Sequence, residues 1–177
     1  MANEIFQLRE EILREHSKDQ RTRIVNWVGT NQHRFNQLFH FFLQDENTVA
    51  QRAAWALSYC VEMHPGLVKH KLGLLIANLQ KPALHDAVKR NSLRILQFVD
   101  IPKKYHGQAM DTCFRLVAAP REAVAIKAFS LAVLGRLATI YPEIVPEIKL
   151  LMTQQLPNHT PAFKSKARHL LKAFGQL

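Results

Sequence analysis

Apolar positions along the chain recur at helical spacing, and no stretch alternates with the period of two that a half-buried strand requires. The stretch VAQRAAWALSYC, Val49 to Cys60, shows the pattern and its one discordant residue, the early guanidinium of Arg52. Three later stretches repeat it: AVKRNSLRILQFV from Ala87 to Val99, VAIKAFSLAVLGRLA from Val124 to Ala138, and AFKSKARHLLKAF from Ala162 to Phe174. Aligned on their early basic residue they give Arg52, Arg90, Lys127 and Lys166, at spacings of 38, 37 and 39. Apolar residues follow each one: Ala56, Leu57 and Cys60; Leu96 and Phe98; Leu131 and Ala132; Leu170, Leu171 and Phe174.

The helix breakers recur on the same period. MHPGLV (Met63–Val68), DIPKKY (Asp100–Tyr105) and IYPEIV (Ile140–Val145) each end one helix and open the next. Proline suits that place because the first helical turn needs no amide donor. A shorter break divides each unit: LQDEN from Leu43, LQKPAL from Leu79, VAAPRE from Val117 and QLPNHTP from Gln155. Each unit is therefore a helix, a turn and a second helix carrying the basic residue. The units run over 31–65, 66–102, 103–142 and 143–177 within a single domain of 177 residues.

Residues 1–30 form a shorter helical pair, Asn3–His16 and Asp19–Gly29, with Arg23 as a fifth register residue. Ile5, Leu8, Ile12 and Leu13 give its first helix an apolar stripe, and Glu10 and Arg14 are spaced for an i,i+4 pair on the other face. A terminal cap needs this division, one face for the next repeat and one for water.

At this point the chain resembles the HEAT-type helical repeats. The likeness rests on the two-helix unit, the proline at the unit junction and the Val-x-x-Arg/Lys start of the second helix, here VAQR, AVKR, VAIK and the looser FKSK. The period lies slightly below the roughly 40–47 residues of HEAT and armadillo units and above those of tetratricopeptide and ankyrin repeats, whose signatures are absent. The resemblance implies an all-α, right-handed α-solenoid of about ten helices. It also implies a ladder in which the second-helix basic residue pairs with an aspartate of the preceding turn. Asp45 suits Arg52 and Asp86 suits Arg90, whereas Glu122 near Lys127 and Asn158 near Lys166 leave the later rungs eroded.

Composition sharpens this picture in one respect, its charge. The formal net charge is +10, and it is unevenly placed. Met1 to Glu62 carries 7 basic and 8 acidic residues, net −1, whereas Met63 to Leu177 carries 17 and 6, net +11. Such a skew directs a field toward one kind of partner. Lys89, Arg90, Arg94, Lys127, Lys164, Lys166, Arg168 and Lys172 all fall on second helices, which line the concave side of a HEAT solenoid. A groove of that kind attracts phosphates or an acidic peptide without reading sequence.

Other chemistry is sparse. The nine histidines show no metal spacing, and Cys60 and Cys113 stand far apart on apolar faces as reduced packing residues. No phosphate-binding glycine loop or nucleophile motif occurs, so no cofactor and no metal are expected. No apolar run approaches the roughly 20 residues of a membrane span, and no signal peptide is present, so a cytoplasmic protein is expected. Arg52, Trp55, Tyr59 and Glu62 share one face of one helix, and Trp27 lies at a nearly equivalent place in the preceding pair. These aromatics read either as packing residues or as a binding patch. HEAT-like DNA glycosylases of the alkylation-repair type use such aromatics and a carboxylate to hold a cationic lesion, but no position here matches their catalytic aspartate. The expectation is a non-enzymatic scaffold for an acidic protein or nucleic acid, with the lesion glycosylase as the alternative.

Overall fold

The computed structural model describes residues 7–44 and 46–155 and, beyond them, residues 164, 165, 168 and 172. Among the described residues all regular structure is helical, as the spacing of apolar positions predicts. The chain divides into two compact units, Met1–Val99 and Asp100–Leu177.

Among the described residues the first unit holds six α-helices: α1 (Leu8–Arg14), α2 (Lys18–Val28), α3 (Gln32–Gln44), α4 (Asn47–Met63), α5 (Leu72–Asn78) and α6 (Asp86–Leu96). Local signals set several of the boundaries. The Ser17 hydroxyl accepts from the Gln20 amide at 3.0 Å and caps the start of α2. Gly29 ends it with a φ of +48°, a left-handed conformation that a side chain rarely adopts. The Pro65–Lys71 junction opens as a 3-10 helix and leaves α5 only seven residues long.

Helix α3 buries Phe35, Leu38, Phe39 and Phe42, one stripe at helical spacing, with adjacent ring centroids 6.1 and 5.6 Å apart. Each such side chain contributes about 1.5–3 kcal/mol when fully buried. Helix α4 is the hub of the unit, packed against α1, α2, α3 and α6. That position explains its alanines: Ala50, Ala53, Ala54 and Ala56 are all buried, and small side chains let neighbours approach from several directions.

The cap differs from the sequence expectation in two details. Leu8 and Ile12 are buried, but Leu13 is exposed, and Ile5 lies outside the described residues. Arg14 pairs with Glu11 at 2.9 Å instead of Glu10. Glu11 is the buried acid of the pair α1–α2: Arg23 reaches it at 3.1 Å, and the Gln20 amide donates to it at 2.7 Å. Burial concentrates three partners on the one carboxylate that faces inward, while Glu10 stays in water.

The second unit contains α7 (His106–Ala118), α8 (Val124–Ala138) and α9 (Val145–Gln155). Its core includes Cys113, Leu116, Val117, Leu131, Leu134 and Ile148. The proline junctions again open as 3-10 turns, Lys103–Tyr105 and Pro142–Ile144. His106 stitches them together. Its Nε2–H donates to the Ile101 carbonyl at 2.6 Å, which leaves Nδ1 to accept from the Tyr141 hydroxyl at 3.0 Å. Residues 164, 165, 168 and 172 are helical as well.

Candidate binding surface

In the first unit the second helices α2, α4 and α6 lie side by side, with α4 packed against both others. Trp55, Tyr59 and Glu62 form one stripe along α4, as their spacing predicts. The Arg21 guanidinium of α2 lies 5.0 Å from the Trp55 ring and 3.9 Å from the Tyr59 ring. From the other side Arg94 of α6 lies 4.5 Å from Tyr59 and donates to Glu62 Oε2 at 2.6 Å. Tyr59 is thus clamped between two guanidiniums, each attracted by the ring's negative face. The Arg94 hydrogen bond first, with the Arg94 and Arg21 charges behind it, holds the phenol below its ordinary value against desolvation and Glu62.

Beside this stack is a cavity of about 260 Å³ lined by His16, Gln51, Trp55, Ala87, Arg90 and Asn91. The His16 ring sits 4.9 Å from Trp55, tilted by 48°. Asn91 is buried and engaged: its Nδ2 donates to the Ala87 carbonyl at 2.8 Å, and its Oδ1 faces the Ser58 hydroxyl at 3.2 Å. Arg90 is exposed and forms no ion pair among the described residues. The lining includes no carboxylate.

The expected ladder of basic residues takes a different form. Arg52 donates from Nη1 to the carbonyls of Leu13 at 2.9 Å and Ile12 at 3.3 Å, tying α4 to the C-terminal end of α1. Asp45, its expected partner, lies outside the described residues, as does Asn158. Asp86 pairs with Lys89 at 3.0 Å and not with Arg90, although both the i,i+3 and the i,i+4 spacing on α6 bring a cation within its reach. Lys127 requires a correction: it is fully buried in the second unit, so it contributes nothing to an exposed basic face. Burial lowers its pKa and the attraction of Glu122 opposes the shift.

Of the remaining predicted residues, Arg94 and Lys89 are half-buried and paired, Lys164 is half-buried, Arg168 and Lys172 are exposed, and Lys166 lies outside the described residues. Trp27 carries its own cation, Arg34, whose guanidinium is 5.0 Å from the ring and whose Nη1 donates to the Trp27 carbonyl at 2.7 Å. Sequence reasoning missed Arg21, His16 and Gln51. For Arg21 a signal existed: two aromatics one turn apart on a second helix offer faces that a cation on the neighbouring second helix fills.

Among the described residues no group of histidine, cysteine and acidic side chains is placed to hold a metal ion, and no helix is long and apolar enough to cross a membrane. Cys60 and Cys113 are free and buried, and burial pushes each thiol up to about 12.

Successive helix pairs with proline at the junctions and second helices packed side by side define an α-helical repeat protein. The family model for the HEAT repeat domain matches residues 8–174, so the chain belongs to the HEAT repeat family. Neither the curated proteins nor the solved structures compared with it gave a match.

Proposed function

We propose that this protein is a non-enzymatic HEAT repeat scaffold that holds an anionic macromolecule on its second-helix surface, working in the cytoplasm. The observation that carries the reading is the Trp55 cavity, which presents a guanidinium, an imidazole, amides and an indole with no acid among its lining residues. Such a site repels cations and attracts anions. The overall charge of +10 favours encounter with the same class of partner. An acidic protein segment and a nucleic acid both meet that description, and the exposed Arg168 and Lys172 add to the attraction for either.

The lesion-glycosylase alternative needs a carboxylate free to face a cationic base beside one of the aromatics. Glu62 is the acid on the Tyr59 stripe, and it is committed to Arg94 at 2.6 Å. The arrangement therefore favours binding over glycosidic chemistry. Titration of labelled duplex DNA and of labelled oligoglutamate, each at several salt concentrations, tests the reading. Saturable binding of at least one, weakening steeply with salt and less steeply when Lys164, Lys166 and Arg168 are replaced by Gln, is expected. No saturable binding of either probe at low salt overturns it.

A further inference from the structure

We infer that the Trp55 cavity is an anchor for a single carboxylate of an acidic protein segment, and not part of a track for a phosphate backbone. The inference rests on the anionic-partner reading above and narrows it. It follows from what each arginine of the first unit is already doing. Arg9 pairs with Glu46, Arg14 and Arg23 with Glu11, and Arg94 with Glu62. Arg21 and Arg34 lie over aromatic rings, and Arg52 is spent on the carbonyls of α1. Arg90 is the exception, and it lines the cavity.

A nucleic-acid backbone is held by a row of uncommitted cations, one for each phosphate neutralised. Among the described residues the second helices of this unit offer one uncommitted guanidinium and the exposed ammonium of Lys18, too few for a row, and the exposed Glu62 carboxylate stands on the same helices. A point anchor matches a point charge. The planar fork of Arg90 suits a carboxylate, whose two oxygens take two parallel N–H bonds. The Trp55 indole N–H and the Gln51 side-chain amide make no hydrogen bond among the described residues, so both remain available to the same ligand. The indole also excludes water from one wall, which strengthens the charge-assisted bonds. At about 260 Å³ the cavity equals the liquid volume of roughly nine waters, enough for a glutamate side chain and part of its backbone.

The test uses the full chain with two labelled probes, hexaglutamate and hexathymidylate, read by fluorescence anisotropy. Arg90→Gln should weaken hexaglutamate at least about tenfold, the scale of a lost hydrogen bond to a charged group. Arg90→Lys should restore part of the affinity, since an ammonium keeps the charge and loses the fork. Lys81→Gln, an exposed residue in the turn before α6, should leave binding within about twofold, as surface charges are weakly coupled at a distance. An unchanged melting temperature in Arg90→Gln separates lost binding from lost structure. Hexaglutamate binding that survives Arg90→Gln removes the anchor and leaves the scaffold reading in place. Tighter binding of hexathymidylate than of hexaglutamate overturns the carboxylate assignment. Binding of neither probe removes the anionic-partner reading itself.

Discussion

Replacing Arg52 by methionine is expected to loosen α1 before it weakens the rest of the first unit. Helix α1 has seven residues, well below the roughly 12–15 an isolated helix needs, and Gln7 before it supplies no side-chain cap. Its order depends on what holds it from outside: the buried Leu8 and Ile12, the Glu11 partners and the two bonds from Arg52. Methionine keeps the apolar stem and removes the guanidinium. A hydrogen bond from a charged donor contributes about 1.5–3 kcal/mol, and a cation at a helix C-terminus about 0.3–1 kcal/mol. The Leu13 carbonyl is on the exposed side, where water replaces the lost donor, so only the Ile12 bond keeps most of its value. The expected net loss is about 2 kcal/mol, concentrated in α1. Urea denaturation gives the global figure, and hydrogen exchange over Leu8–Arg14 shows whether that helix opens first. A loss below about 0.5 kcal/mol with unchanged exchange protection would refute the tie between α4 and α1.

Two further perturbations probe the second unit. Leu131, 1% exposed on α8, should cost about 2–5 kcal/mol when cut to alanine, and a loss below about 1 kcal/mol in a thermal melt contradicts the assigned buried face. Lys127 has a folded-state pKa below its ordinary 10.5, so between the two values the unfolded chain binds more protons and stability rises with pH. Lys127→Met should remove that rise. Denaturation series of both proteins from neutral to alkaline pH should therefore diverge in slope, and parallel curves would show that the ammonium is not desolvated.

The helices were legible in the sequence because burial and chain direction leave marks on the same residues. Phe35, Leu38, Phe39 and Phe42 declare a face by spacing alone, and Pro65, Pro102 and Pro142 mark junctions because proline is tolerated there. The expected ladder fails at its Asp86–Arg90 rung because register does not specify partners. Arg52 and Arg90 occupy matching places near the starts of α4 and α6, yet one is drawn to the carbonyls of α1 and the other faces a cavity. Lys127 occupies the third such place and is buried. Those fates depend on what the neighbouring helix presents, and a single helix period carries no record of that. The aromatic stripe was visible from Trp55 and Tyr59, but the cavity was not, because His16, Gln51 and Arg90 are joined only by packing.

The two cysteines carry a practical consequence. Sealed in the core and held protonated, the Cys60 and Cys113 thiols have almost no thiolate to offer an alkylating reagent at neutral pH. The native chain is therefore chemically silent toward maleimide dyes without removal of either residue. Gly66 and Gly107 supply the complementary feature, since a Cβ added at either would meet nothing within 4 Å. A cysteine installed at both would give two reactive handles on an otherwise inert protein. Carrying a donor and an acceptor dye, such a chain would report by energy transfer any flexing of the repeat array as a partner is taken up.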